Sequence, residues 1–278
     1  MKVLLNRAMA SAVGCLLLIA QATHAQAVLP SVLTISDNTI QAKLELSSQI
    51  AVDLTVEFEN SVGLNANSIN ISAELLSPTS LSILNRLPSS LVSAPGTFPV
   101  MVSIEPKADK GFAFEDVAVV ELYTKALHYT VGSPLRLFRS HDDGTFEDIT
   151  MLTASGSFRA RGNTGSFSDF IIMVDTRAQS DVIATKYALL DNLVNSNRSS
   201  ISGVLLASVD TSLTSLYSSI NTADYTAALG TVDNLITLIE NADGAQIDDV
   251  WRSSDDITNV KGELLTRLYT LRYSLRTL

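Results

Sequence analysis

Cysteine is almost missing: the 278-residue chain has one, Cys15, and it falls inside an N-terminal leader. The leader reads MKVLLNRAMASAVGCLLLIAQATHAQA. Lys2 and Arg7 precede an apolar stretch from Ala8 to Ala20, and Thr23-His24-Ala25 is a small-x-small cleavage pattern, so residues 1–25 read as a secretory signal peptide. Ala12-Val13-Gly14-Cys15 resembles a lipobox in outline. Leu16 to Ala20 continue the apolar core past the cysteine, however, whereas a lipoprotein's core precedes it. Cleavage after Ala25, with Ala27 as the alternate, leaves no thiol, which excludes disulfides, thiolate nucleophiles and cysteine metal ligands.

Long hydrophobic runs are lacking as well. Beyond the leader no stretch approaches the roughly 20 apolar residues a spanning helix needs, so the expectation is an exported protein, periplasmic or secreted, with no membrane span. Positive charge is scarce: 19 Lys and Arg stand against 29 Asp and Glu, and loss of Lys2 and Arg7 moves the formal charge from −10 to −12. So acidic a surface repels phosphate backbones and anionic lipid heads, which excludes nucleic acid as a partner. After the leader the only histidines are His128 and His141, and H-E-x-x-H, G-x-S-x-G, S-x-x-K, P-loop and G-x-G-x-x-G motifs are all missing. No catalytic residue, cofactor or metal ligand set is therefore named. Aromatics make up 6% of the chain, few for a sugar-binding cleft. Paired carboxylates of a glycoside hydrolase carry no fixed spacing, and an exported hydrolase of that kind remains the alternative.

Proline and phenylalanine stop partway. All seven prolines lie at or before Pro134 and all nine phenylalanines at or before Phe170. The boundary falls in Val174-Asp175-Thr176-Arg177. Before it the apolar period is two: QIAVDLTVEFE alternates Ile50, Val52, Leu54, Val56 and Phe58 with polar residues, as a strand with one wet face does. Similar runs recur at Ile69–Leu75, Val100–Ile104, Val117–Tyr123, Leu135–Phe138 and Phe170–Val174, separated by turn-rich pieces. They predict an antiparallel immunoglobulin-like β-sandwich over residues 26–177.

After the boundary the period becomes helical. Ile183, Tyr187, Leu190 and Val194 share a face, as do Ile201, Leu205, Val209, Leu216 and Ile220, then Leu229, Val232, Ile236 and Ile239, and last Ile257, Val260, Leu264, Leu268, Leu271 and Leu275. Four such stripes predict a small helical bundle over residues 178–278. Ser254 before Asp255-Asp256 reads as the N-cap of the last helix, with Arg272 and Arg276 near its end. The fold class expected is all-β followed by all-α, each half with its own apolar face and able to fold separately.

The stretch LRLFRSHDDGTFEDIT, Leu135 to Thr150, raises the question of a metal loop. Aligning Gly144 with the glycine of an EF-hand puts Arg139, His141 and Asp143 at the first ligand positions and Thr150 at the last, and only Asp143 fits. A hairpin explains the stretch: Leu135–Arg139 pairs with Thr145–Ile149, and Asp143-Gly144 supplies positive φ. Asp142, Glu147 and Asp148 are left as a weak surface cation group. Arg159 and Arg161 alternate on an outward face and read as a solvated strand.

The LRLFR-turn-F-D hairpin, the Gly/Ser/Thr link and the closing F-S-D-F strand, Leu135 to Val174, resemble the last strands of sandwich modules in bacterial surface proteins. YTAALGTVDNLITLIE followed by IDDVWRSSDDITNVKGELLTRLYTLRYSL resembles helical modules of FIMAH type. The whole is similar to a family of uncharacterised exported bacterial proteins with this two-part layout. That resemblance implies export and bacterial origin, and no mechanism.

In IDDVWRSSDD stand the sole tryptophan, Trp251, and Arg252. They are read either as an exposed contact for a partner or, with Trp251 turned inward, as a plug over the open end of the helical bundle, Arg252 pairing with Asp248, Asp249 or Asp255. The function expected is non-catalytic binding or scaffolding, toward a protein or glycan of the cell envelope.

Overall fold

Val52, Leu54, Val56 and Phe58 are buried while Asp53, Glu57 and Glu59 between them stay in water, so the alternating stretch of the sequence is a half-buried strand. A computed structural model describes residues 27–278; the leader and Cys15 lie outside the described residues. In chain order the strands are β1 (Val32–Ser36), β2 (Thr39–Glu45), β3 (Ala51–Val62), β4 (Ile69–Leu75), β5 (Val92–Ser93), β6 (Val100–Pro106), β7 (Ala113–Thr124), β8 (Leu135–Ser140), β9 (Glu147–Asp148), β10 (Thr150–Ala154), β11 (Phe158–Thr164), β12 (Asp169–Asp175) and β13 (Val250–Arg252). The helices are α1 (Leu81–Leu84), α2 (Gln179–Ser196), α3 (Gly203–Asn221), α4 (Tyr225–Glu240) and α5 (Val260–Arg276). Two antiparallel sheets and five helices make a mixed α/β class. Among the described residues no helix is long and apolar enough to cross a membrane.

The first sheet runs β1-β2-β3-β7-β11-β10, and β13 also pairs with β7. The second runs β4-β6-β12-β8-β9, with β5 on β12. Their inner faces share one core, to which β3 gives Val52 and Leu54, β7 Val120 and Leu122, β6 Val102 and Ile104, and β12 Phe170 and Ile172. The other face of the second sheet is covered by the turn-rich segment around α1. There Ile83, Phe138, Phe146, Ile171 and Met173 form a second apolar cluster, and Arg86 lies over the Phe146 ring while bonding Asp169 at 2.7 Å.

The four long helices bury the expected stripes: Ile183, Leu190 and Val194 on α2, Leu205, Val209 and Leu216 on α3, Val232, Ile236 and Ile239 on α4, and Leu264, Leu268, Leu271 and Leu275 on α5. The start of α5 differs from expectation. Its N-cap is Asn259, whose side chain accepts from the Gly262 N–H at 2.8 Å, whereas Ser254 bonds Asp256 at 2.7 Å in the preceding link, where Ile257 also stays partly exposed. An amide side chain satisfies an unpaired N–H of the first turn as well as a hydroxyl does, so composition alone did not separate the two.

Helix α5 is buried on both sides. Its leucines face α2 and α4, while Glu263, Thr266, Thr270 and Ser274 are buried although polar. That polar stripe meets the first sheet and the β8–β9 hairpin. Glu263 takes Arg139, Arg267 pairs with Glu147 at 3.0 Å, Thr270 donates to the Asp148 carbonyl at 3.1 Å, and Lys261 pairs with Asp116 at 2.9 Å. Gly262 allows this approach: a Cβ there would stand 2.1 Å from the Asp116 carbonyl oxygen. The change from strand to helix falls where the sequence put it, between β12 and α2, yet β13 returns from the helical half to the first sheet.

Candidate functional site

The hairpin is present with the expected strands but a different turn. Phe138 pairs with Asp148 and Arg139 with Glu147, and the positive φ angles fall on Asp142 and Asp143, at 46° and 56°, not on Gly144. The Gly144 N–H closes the turn on the His141 carbonyl at 2.8 Å. Positive φ at both central residues is the form that matches strand twist, and aspartate tolerates it better than most side chains. The sites an EF-hand would use are otherwise engaged: Arg139 is in a buried ion pair, and Thr150 Oγ1 accepts from the Leu137 N–H at 2.8 Å.

Asp142, Glu147 and Asp148 do not converge. Asp148 is a buried partner of Lys186, which holds it at 2.6 Å while also donating to Thr270 Oγ1 at 2.7 Å and Ser274 Oγ at 2.9 Å. Burial opposes the Asp148 carboxylate, but Lys186 and the Thr150 N–H overcome it and hold it below the usual carboxylate range. Burial also pulls the Lys186 ammonium down, against the pull of Asp148. Arg159 and Arg161 are not solvated independently: both grip Glu121 of the neighbouring strand, itself buried.

Where the hairpin, the β11–β12 link and the β13–α5 link meet, they enclose a cleft of about 470 Å³. Its floor is ionic. Arg139 donates to both Glu263 oxygens, at 2.7 and 2.9 Å, and Ser166 Oγ donates to one of them at 3.0 Å. Burial works against the Glu263 carboxylate, yet Arg139, Arg267 and Ser166 outweigh it and hold the group down at about 2. Glu147 on the wall is paired with Arg267, with Arg139 3.8 Å away. The rim carries His141 and Asp255.

Trp251 is turned inward, but into the sandwich and not over the end of the helical bundle, and it also lines the cleft. It is 5% exposed and joins the sandwich core, its indole 5.3 Å from Phe114, 5.9 Å from Phe112 and 5.5 Å from Phe167. The reason is strand pairing: Val250–Arg252 adds to β7 with Trp251 opposite Phe114, which turns the indole into the end of the sandwich. Arg252 stays exposed, 3.3 Å from Asp256 and not from the acids expected. An exposed pair of this kind contributes little. The charge network of the cleft escaped sequence reading because its members are far apart in the chain; the polar i, i+3, i+4 stripe opposite the leucines of α5 was its one visible trace.

Fold and site together define a two-sheet protein with a helical layer keyed into it through one doubly buried helix and an ion-paired cleft at the seam. The chain belongs to a family of unknown function, DUF6689, whose profile matches residues 13–278. A search of curated proteins found no match.

Proposed function

We infer that this is an exported, non-catalytic binding or scaffolding protein of a bacterial envelope or exterior, using the seam cleft as its recognition surface. The sandwich is read as immunoglobulin-like and the helical half as a FIMAH-type module; two face-to-face antiparallel sheets and four amphipathic helices support that reading. One observation carries the functional choice. Of the three carboxylates lining the cleft, the two in its floor and wall are each neutralised by arginine, Glu263 by Arg139 and Glu147 by Arg267, while Asp255 stands exposed on the rim. Glu263, held ionised in its buried pair, has no proton to give a leaving group, which weighs against its serving as the acid of the hydrolase alternative. A cleft with fixed charges and a part-apolar wall from Leu193 and Ile257 suits selective binding.

The test is a pull-down from the envelope fraction with the wild-type protein and with Thr258→Arg, a bulky substitution on the exposed cleft wall. A ligand held by the wild type and lost by the variant, at unchanged melting temperature, is the expected result. Turnover of glycoside or ester substrates that disappears in Glu147→Gln would overturn the reading.

A further inference from the structure

Above the ionic floor of the cleft stands a group of side chains that a binding role does not by itself require. One donor atom each from His141, Asp142 and Asp255 lies within 4.8 Å of the others, two from the hairpin turn and one from the β13–α5 link. Three observations bear on what they hold.

The first is the histidine's orientation. Its Nδ1 stands 3.0 Å from the Phe167 carbonyl oxygen, which can only accept. Nδ1 therefore carries a proton, and in the neutral ring Nε2 presents a lone pair. A backbone carbonyl behind the ring is the usual way a metal-binding imidazole is fixed. Phe167 is itself locked in the aromatic cluster with Phe112, Phe114 and Trp251, so the acceptor is rigid.

The second is spacing. His141 Nε2 and Asp142 Oδ2 are 3.4 Å apart. Two ligands bonded at about 2.0–2.1 Å to a tetrahedral ion stand about 3.3–3.4 Å from one another, the edge of the tetrahedron.

The third is charge. The neighbouring acids Asp143, Glu147, Asp148 and Glu263 each have a lysine or arginine partner. Among the described residues no Lys or Arg pairs with Asp142 or Asp255, so two carboxylates converge on an imidazole nitrogen with no fixed cation between them.

We propose that His141, Asp142 and Asp255 bind one divalent transition-metal ion of the zinc class, with a coordination position left for a group held in the cleft. One imidazole with two carboxylates suits zinc or a neighbouring d-block ion better than calcium, which takes six to eight oxygens. The ion would tie the hairpin turn to the β13–α5 link that follows Trp251, beside the Arg139–Glu263 and Glu147–Arg267 pairs that already join the hairpin to α5.

Calorimetric titration of the metal-stripped, tag-free exported chain with zinc chloride tests this. One site is expected, with a dissociation constant of about 1–10 μM for three exposed ligands. His141→Ala and Asp255→Asn should each weaken it by about tenfold or more, while His128→Ala and Asp143→Asn leave it unchanged. Asp255 is exposed, so its Asn variant keeps the fold, which the melting temperature verifies. Three outcomes overturn the proposal: no binding at about 1 mM zinc, unchanged binding in the His141→Ala and Asp255→Asn variants, or calcium competing as an equal.

Discussion

Glu263 couples the seam to pH through a single side chain. An unperturbed glutamate titrates near 4.5, and in the fold this one is held at about 2. A folded-state value below the unfolded one stabilises the protein fully above pH 4.5, and that contribution is lost as pH falls from 4.5 toward 2. The gap corresponds to about 3 kcal/mol. Urea midpoints should therefore fall across that window, and Glu263→Gln should flatten the dependence. At neutral pH the same variant leaves Arg139 buried with only Glu147, 3.8 Å away, as counterion, at a cost of up to roughly 3–5 kcal/mol. Equal slopes for wild type and variant between pH 5 and 3 would refute the assignment.

At the scale of elements, α5 is held by the closeness of its first turn to β7. Gly262→Ala should destabilise the protein although alanine is the better helix former, because the added carbon meets the Asp116 carbonyl oxygen at 2.1 Å. Gly230, in α4, has nothing within 4 Å of the same position, and Gly230→Ala should stabilise by about 1 kcal/mol. Opposite signs of the two changes in thermal melts check the close approach. The leucine stripe of α5 was legible in sequence, as was the alternation of β3, because burial of an apolar face leaves a period that survives without coordinates. What the polar face of α5 does was not legible. A stripe such as Glu263, Arg267 and Thr270 has the same period whether it faces water or a second set of charges, and only the partner strands decide. The positive-φ pair, Asp142-Asp143, lies one residue before the Asp143-Gly144 expected, for a related reason: glycine is the usual bearer of positive φ, and here Ser140 and Arg86 engage the Gly144 carbonyl instead. Asp255 was missed beside His141 because proximity created by a strand from another part of the chain leaves no spacing to read.

For the molecule as a whole, the expectation of two independently folding halves meets an interface of buried ion pairs and a shared aromatic cluster. Unfolding should be one cooperative transition, with tryptophan fluorescence and helical circular dichroism changing together. Trp251→Ala should lower stability by about 3–5 kcal/mol, as loss of a large buried aromatic does, and should shift the helical circular-dichroism transition although the indole packs in the sandwich core. Two separated transitions in the wild type, or an unchanged helical melt in Trp251→Ala, would restore the picture of independent halves. The placement of Trp251 also has a consequence in time. A polypeptide leaves the ribosome or an export channel N-terminus first. All twelve strands through Asp175 are thus delivered while the residue that seals Phe112 and Phe114 has yet to arrive. A product truncated before Val250 should therefore carry an open aromatic end and be cut by proteases faster than a chain that contains Trp251.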